Sequence, residues 1–250
     1  MNWHDRFSIQ LEWTRELRNL IYTHLKIQNS SKILESGCGT GALLTELGSR
    51  FKCELYGIDI DEKRLDIAKK EMDGKDIKAQ LTKNTILNTK YKESTFDFIF
   101  THYFFLWIED LEGAFNELHR ILKQEGKLII LAEPDYGGLI EEPDFNLKQA
   151  IQSNLIKQGS NPNVGREIPK YLKNKFVIHE QFTSSIPWLA LNRKTELLQE
   201  IRFFEKILID ENYNTKIVRE HIEKYNYFLY IPVFTYILNK DTNTSKDPEF

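Results

Sequence analysis

A cluster of glycines directly after a short apolar segment is the feature that most restricts the fold of this chain. Residues 32–35 are typical of a buried strand, residues 37–41 carry glycines at alternating positions, and residues 42–47 have a helix-forming composition. Alternating glycines allow the backbone to turn sharply and to approach a ligand without obstruction by side chains. The segment therefore predicts a strand, a tight ligand-binding turn and a helix.

Strand-like and helix-like segments alternate through the first half of the chain. Short apolar segments predict the strands, and stripes of apolar residues at helical spacing predict the helices between them. The predicted strands are residues 32–35, 54–59, 79–81, 96–100 and 127–132, and the predicted helices are residues 42–47, 62–72 and 111–122. This alternation indicates right-handed βαβ units and an open parallel sheet that is covered on both faces.

The second half of the chain is less regular. Residues 134–169 are rich in Gly, Pro, Asn and Asp, and only residues 145–156 within this part resemble a helix. Three later elements are predicted: a strand over residues 175–186, a helix marked by Leu197, Ile201, Phe204 and Leu208, and a strand over residues 228–238. No repeat or linker is visible, so we expect this half to complete the same sheet.

The N-terminal segment predicts one helix over residues 10–25, because Leu17, Leu20, Ile21 and Leu25 recur at helical spacing. Three parts of the chain follow from these patterns. We expect an N-terminal helical lid (1–30), a main domain (31–240) with an insertion at about residues 134–170 after the fifth strand, and a polar tail (241–250).

Composition restricts the partners and the compartment. The chain has 34 basic and 37 acidic side chains and a formal net charge of -3, which offers no overall attraction to nucleic acid. Its two cysteines form neither a disulfide framework nor a CxxC metal motif, and residues 225–238, the most apolar segment, are too short to span a bilayer. We expect a cytoplasmic monomer or homodimer that binds no nucleic acid, no membrane and no metal.

Glu35 narrows the choice of ligand. The glycines alone satisfy a loose dinucleotide pattern, but a carboxylate two residues before Gly37 would repel the pyrophosphate of NAD. A cationic ligand without phosphate suits the carboxylate of Glu35 better. Asp59, at the end of the second strand, stands close to the spacing at which a carboxylate accepts ribose hydroxyls, although Asp61 could compete. Each of these features taken alone could be a turn glycine or a helix cap.

Four segments in order carry a resemblance to a known family: LESGCGTG, GIDIDEKRLDIAKK, STFDFIFTHYFFLWIED and ILKQEGKLIILAEPD, all within residues 31–135. They resemble the class I S-adenosylmethionine-dependent methyltransferases of the small-molecule type. The resemblance implies a Rossmann-like, seven-stranded sheet with six parallel strands and one antiparallel C-terminal strand. It also implies that S-adenosylmethionine is bound and that S-adenosylhomocysteine is the product.

The resemblance implies roles for particular residues. The glycine loop would hold the methionine moiety, Asp59 the ribose, and the polar residues after the third and fourth strands the adenosine. The implied cofactor residues are Glu35, Gly37, Cys38, Gly39, Gly41, Asp59, Asn84, Thr85 and Thr101. Asn84 stands where many members of the family carry an aspartate.

Candidates for the acceptor side come from the strand ends and from the predicted lid. Ligands of open α/β sheets bind at the carboxyl ends of the strands, which makes His102, Tyr103, Asp135 and Tyr136 the candidate catalytic residues. Gln10 and Trp13 share a helical face and are predicted to reach the methionine end of the cofactor. Methyl transfer needs orientation and exclusion of water more than acid–base chemistry, so His102 could instead be a packing residue and Asp135 a turn cap.

Three other functions remain open from the residues. A protein or nucleic-acid acceptor is possible, although Thr101-His102-Tyr103 stands where an adenine amino-methylase carries an NPPY-type signature. The chain could be a non-catalytic cofactor-binding subunit. NAD-dependent oxidoreduction is disfavoured by Glu35.

Overall fold

The computed structural model describes residues 3–185, 188–208 and 213–241. Most of the predicted polar tail therefore lies outside the described residues. The strands in the described part are β1 (Lys32–Ser36), β2 (Glu54–Asp59), β3 (Ala79–Lys83), β4 (Phe96–His102), β5 (Leu122–Pro134), β6 (Ile140–Glu142), β7 (Phe176–Ser184), β8 (Trp188–Leu189), β9 (Phe228–Tyr230) and β10 (Val233–Lys240). The helices are α1 (Trp3–Trp13), α2 (Arg15–His24), α3 (Ala42–Arg50), α4 (Glu62–Asp73), α5 (Leu111–Ile121), α6 (Leu147–Lys157), α7 (Val164–Glu167), α8 (Ala190–Ile207) and α9 (Thr215–Lys224).

A seven-stranded sheet in the order β3-β2-β1-β4-β5-β10-β7 forms the centre of the fold. The pairs from β3 through β5 are parallel, whereas β10 is antiparallel to both β5 and β7. Strand β7 consequently runs in the same direction as β5. The predicted architecture of six parallel strands and one antiparallel C-terminal strand is confirmed.

The central strands β1 and β4 are apolar on both faces because helices cover both faces. Neighbouring side chains on β1 point in opposite directions, and Ile33 and Leu34 belong to two separate apolar clusters. On β4 the adjacent residues Phe98 and Ile99 are divided between the same two clusters. The sheet is therefore doubly wound, as the alternation of strands and helices predicts.

The prediction of one N-terminal helix over residues 10–25 is wrong, because α1 and α2 are separate helices that meet at Thr14. The side chain of Arg18 is fully buried at this junction. Its guanidinium donates to the carbonyl of Leu11, to Thr14 Oγ1 at 2.7 Å and to the carboxylate of Glu46. These contacts satisfy backbone and side-chain groups at the break, which the apolar spacing alone does not indicate.

The prediction of one strand over residues 228–238 is also wrong in part. Residues 228–230 form β9, which pairs with β6 and β8 in a separate three-stranded sheet, and the chain then passes Pro232 before β10 begins. A proline cannot donate a ladder hydrogen bond, which suits the break at this point. The second half thus completes the main sheet and adds a small second one. No described helix has both the length and the apolar character needed to cross a membrane.

Candidate cofactor and acceptor site

A cavity of about 380 Å³ opens at the carboxyl ends of the parallel strands. The residues that follow β1, β2 and β3 form what we call the glycine end, which consists of Glu35, Gly37, Cys38, Gly39, Asp59, Asn84 and Thr85. Residues after β4 and β5 together with helices α1, α6 and α8 form the helical end, which includes Arg6, Gln10, Tyr103, Tyr136, Asn154 and Phe203. The order of the strands in the sheet determines this division.

The glycine turn has the backbone that its sequence predicts. Gly37 and Gly39 have φ values of 73° and 51°, in the left-handed region that disfavours other residues. A Cβ atom on Gly37 would lie 2.3 Å from Cδ2 of Phe104, and one on Gly39 would lie 3.0 Å from the ring of Phe7. The amides of Gly37 and Cys38 both donate to the carbonyl of Ile58, at 2.8 and 2.9 Å. The turn is therefore tied to the end of β2.

Gly41 is not among the residues that line the cavity. It precedes α3 with a φ of 77°, and a Cβ there would lie 2.9 Å from the Cβ of Ala68 on α4. Gly41 thus permits α3 and α4 to pack closely, which supports the turn from behind.

Glu35 connects β1 to the first turn of α3. The carboxylate is buried in the cavity wall, and its Oε2 accepts a hydrogen bond from the amide of Leu44 at 3.0 Å. Burial raises the pKa of Glu35 well above its usual range, the Leu44 amide opposes this shift, and nearby Asp59 adds to it. A bound cation would relieve both the desolvation and the repulsion between the two carboxylates.

Asp59 joins the second strand to the glycine turn. Its Oδ2 accepts from the amide of Gly39 at 2.8 Å, and its Oδ1 accepts from the amide of Asp61 at 2.9 Å. A carboxylate offers about four lone-pair sites, so two backbone hydrogen bonds leave capacity for hydroxyl groups of a ligand. Asp61 takes a different role, since its side chain caps α4 by accepting from the amides of Lys63 and Arg64.

Asn84 and Thr85 line the same end of the cavity. The backbone amide of Asn84 donates to the carbonyl of Asp59 at 3.0 Å. Its side chain holds the following loop, because Nδ2 donates to the carbonyl of Thr89 and Oδ1 accepts from the amide of Thr85. Thr101, in contrast, is fully buried in β4, is not among the cavity-lining residues, and its Oγ1 has no hydrogen bond within the described part of the chain.

His102 and Tyr103 line the cavity at the end of β4, with their rings edge to face at 4.8 Å. Burial lowers the pKa of His102 to about 3, and the charge of Arg18 acts in the same direction. A base this weak would be inefficient near neutral pH. Tyr103 adopts a φ of 51°, and burial raises its pKa above the usual range of a phenol, as it also does for Tyr136.

Asp135 and Trp13 are not among the cavity-lining residues. Asp135 is buried and forms an ion pair with Arg166, with Nη2 to Oδ1 at 2.8 Å, and it also accepts from the amide of Gly138. Trp13 lies beside the cavity, with its ring 4.9 Å from the guanidinium carbon of Arg6. Among the candidate catalytic residues, the structure therefore brings His102, Tyr103 and Tyr136 to the cavity and leaves Asp135 in a turn.

A buried ion pair between α1 and α8 was missed by the reasoning from sequence. Arg6 lines the helical end, and both of its terminal nitrogens donate to Glu200, with Nη2 to Oε1 at 2.9 Å. The ring of Phe203 lies 3.9 Å from the same guanidinium. One signal was available: Glu200 falls on the apolar stripe of Leu197, Ile201 and Phe204, and a carboxylate on a buried stripe needs a cationic partner.

A family profile described as "Methyltransferase domain" matches residues 34–130, which contain the glycine turn, Asp59 and the strands through β5. The match covers less than half of the chain, and residues 34–130 are similar to this methyltransferase family. The chain resembles the YcgJ protein from Bacillus subtilis, with 14% identity, a TM-score of 0.60, and coverage of 89% of this chain and 97% of that one. The likeness shows a common fold.

Two further similar proteins have named activities. A demethylmenaquinone methyltransferase from Lactobacillus johnsonii is 27% identical over 118 residues, which are 46% of this chain and 48% of that protein. The geranyl diphosphate C-methyltransferase from Streptomyces coelicolor, solved with Mg²⁺, geranyl diphosphate and S-adenosyl-L-homocysteine, has 14% identity, a TM-score of 0.56, and coverage of 89% of this chain and 75% of that one. The chain spans about half the length of the curated relatives it matches.

Proposed function

We propose that this chain binds S-adenosylmethionine at the glycine end of the cavity and transfers its methyl group to a small-molecule acceptor at the helical end. The observation that carries the proposal is the hydrogen bond from Gly39 to Asp59, which joins a ligand-approachable turn to a ribose-type carboxylate beside Glu35. When bound, S-adenosylmethionine supplies an electrophilic methyl group on a sulfonium.

The charges at the glycine end suit a cationic nucleoside without phosphate. Two buried carboxylates, Glu35 and Asp59, line this end. Arg64 also lines the cavity, and its Nε lies 3.4 Å from Oδ2 of Asp61 in an ion pair. A pyrophosphate would meet repulsion here rather than a cationic clamp. The residues present therefore fit S-adenosylmethionine better than NAD.

At the helical end the protein positions the acceptor and excludes water. Tyr103, Tyr136 and Gln10 offer hydrogen-bonding groups, and apolar side chains of α6 and α8 complete the enclosure. Because the pKa of His102 is lowered to about 3, we propose that it packs against the ligand rather than removing a proton. Orientation and a dry site are the main contributions that a methyl displacement requires.

Two segments outside the parallel core supply much of the helical end, and this placement supports the proposed division into a lid, a core and an insertion. Helix α1 contributes Arg6, Phe7 and Gln10, and the insertion contributes Tyr136 and the face of α6. We propose that Trp13 acts indirectly, by stacking on Arg6. The cytoplasmic location, the absence of nucleic-acid binding and the monomeric or homodimeric state stay predictions.

The proposal predicts that S-adenosylhomocysteine binds and that NAD does not. Asp59→Asn should weaken S-adenosylhomocysteine binding by about 1–3 kcal/mol, because charge-assisted bonds to hydroxyl groups and the clamp on Gly39 both lose strength. Isothermal titration calorimetry measures both ligands. Asp61→Asn is the matched control, since it removes a carboxylate two residues away that caps α4 and is not among the cavity-lining residues. Affinity for NAD alone, or equal effects of the two variants, would contradict the proposal.

A further inference from the structure

The helical end of the cavity is lined mainly by apolar side chains. Five of them come from α6, α8 and the segment after β4: Leu106, Ile151, Leu155, Phe203 and Ile207. The polar side chains Asn154 and Gln158 are bonded to each other, with Nε2 of Gln158 donating to Oδ1 of Asn154 at 2.6 Å. The groups that can bond a ligand are the phenols of Tyr103 and Tyr136, the amide of Gln10, and the remaining side-chain amide atoms, Nδ2 of Asn154 and Oε1 of Gln158.

The single cation at this end, among the described lining residues, is already neutralised. Arg6 and Glu200 are both almost fully buried and make a two-point contact through the terminal nitrogens of the guanidinium. Phe203 covers one face of that guanidinium at 3.9 Å and Trp13 lies 4.9 Å from it. Its remaining donor, Nε, is buried and has no hydrogen bond to any described residue. The pair of Arg6 and Glu200 thus leaves no net charge at this end, and Nε is one further hydrogen-bond donor.

A charged acceptor would meet no compensating charge here. An anion could reach the two terminal nitrogens of Arg6 only by displacing Glu200, which would leave a buried carboxylate without its partner. A cation would find no acidic residue among the described side chains that line the helical end, and the ring of Phe203 already faces Arg6. It would also be repelled by the sulfonium of the proposed cofactor.

Building on the proposed function, we infer that the acceptor is an uncharged, largely apolar molecule that presents a hydrogen-bonding group to Tyr103 and Tyr136. Neither phenol hydroxyl makes a hydrogen bond to another residue in the described ranges, and both side chains line the cavity. By the same argument we expect quaternary amines, amino acids and phosphorylated compounds to bind poorly. An uncharged apolar skeleton with a hydroxyl or carbonyl oxygen fits this lining.

The test uses three probes of one shape and different charge: 2-naphthol, 2-naphthoate and 2-naphthylmethylammonium. Each is titrated calorimetrically into the protein at pH 7.5, with and without saturating S-adenosylhomocysteine. We expect 2-naphthol to bind at least about ten-fold more tightly than either ion, since desolvating an unpaired charge opposes binding. Equal or tighter binding of an ion, or no binding of 2-naphthol, overturns the inference. Failure of S-adenosylhomocysteine to bind would instead overturn the proposed function, and the titrations without it would still rank the probes.

A charge variant tests the role of Glu200 directly. Glu200→Gln leaves Arg6 with an uncompensated charge, so the ratio of 2-naphthoate affinity to 2-naphthol affinity should rise by about ten-fold or more. Glu205→Gln is the matched control on the same helix, because Glu205 pairs with Arg219 at 3.2 Å in a partly exposed position. An unchanged ratio in Glu200→Gln would refute the neutralised-charge argument.

A second variant keeps the inference testable if Glu200→Gln does not fold. Tyr136→Phe should weaken 2-naphthol by about five-fold through loss of one hydrogen bond while leaving S-adenosylhomocysteine affinity unchanged. A Tyr103→Phe variant is measured in the same way. If both variants bind 2-naphthol as tightly as the wild type does, neither phenol bonds the probe, and this part of the inference is overturned.

Discussion

Glu133, at the end of β5, makes the stability of this protein depend on pH in a way that can be measured. The residue is fully buried, and its Oε1 accepts from the amides of Phe104 at 2.8 Å and Phe105 at 3.1 Å. Its Oε2 is buried without a hydrogen bond to any described residue. Burial raises the pKa of Glu133 to about 7, although the backbone amides oppose the shift.

The sign of the effect follows from comparing the folded and the unfolded chain. The unfolded carboxyl loses its proton near pH 4.5, whereas the folded one keeps it until about pH 7. Between these values the unfolded state is favoured increasingly as the pH rises. The contribution of Glu133 to the free energy of unfolding is therefore complete below pH 4.5 and is lost by pH 7. The shift corresponds to about 3 kcal/mol of unfolding free energy, of which about 2–3 kcal/mol falls between pH 5 and pH 8.

Glu133→Gln removes this titration and keeps an oxygen that can accept from both amides. We expect the free energy of unfolding of the variant, relative to the wild type, to rise by about 2–3 kcal/mol from pH 5 to pH 8. Urea denaturation at a series of pH values measures it. Glu125→Gln, on the same strand and exposed, controls for the substitution itself. A difference between Glu133→Gln and wild type that is constant with pH, or that falls as pH rises, would refute the reasoning.

Two further substitutions separate the cavity from its supports. Gly37→Ala should lower both stability and S-adenosylhomocysteine affinity, because the new Cβ would lie 2.3 Å from Phe104. Gly159→Ala is the control: it has a similar φ of 74° with nothing within 4 Å, so it should cost about 1 kcal/mol of stability and leave the affinity unchanged. An equal loss of affinity in both variants would contradict this prediction. Asp135→Asn should lower the unfolding free energy by about 1–2 kcal/mol, because the ion pair with Arg166 is lost, and calorimetry should show an unchanged S-adenosylhomocysteine affinity. A loss of affinity without a loss of stability would instead indicate that Asp135 contacts the ligand.

The glycine turn could be predicted from the sequence because its determinants are close together along the chain. The turn needs glycines where φ is positive, as at Gly37 and Gly39, and an apolar strand before them. Its connection to Asp59 spans only 20 residues and follows from the placement of consecutive parallel strands side by side. Local patterns therefore specified the doubly wound sheet and the glycine end of the cavity.

The helical end depended on contacts that no local pattern records. Arg6 and Glu200 are 194 residues apart, and their pairing determines whether this end of the cavity carries a charge. Asp135 looks like a strand-end catalytic residue in the sequence, but Arg166, 31 residues later, binds it in a turn. Likewise the break at Thr14 is bound by Arg18, which is held in turn by Glu46 of α3, 28 residues later in the chain.

Sequence and tertiary structure thus determined different halves of the site for a physical reason. Backbone conformation and strand order depend on residue type and apolar periodicity over short spans, so the sequence alone specified the glycine turn and the carboxylates beside it. The electrostatic character of the helical end depends on which buried charges are brought within 3 Å of each other. The contact between α1 and α8 decides that, and only the tertiary structure shows Arg6 and Glu200 neutralising each other.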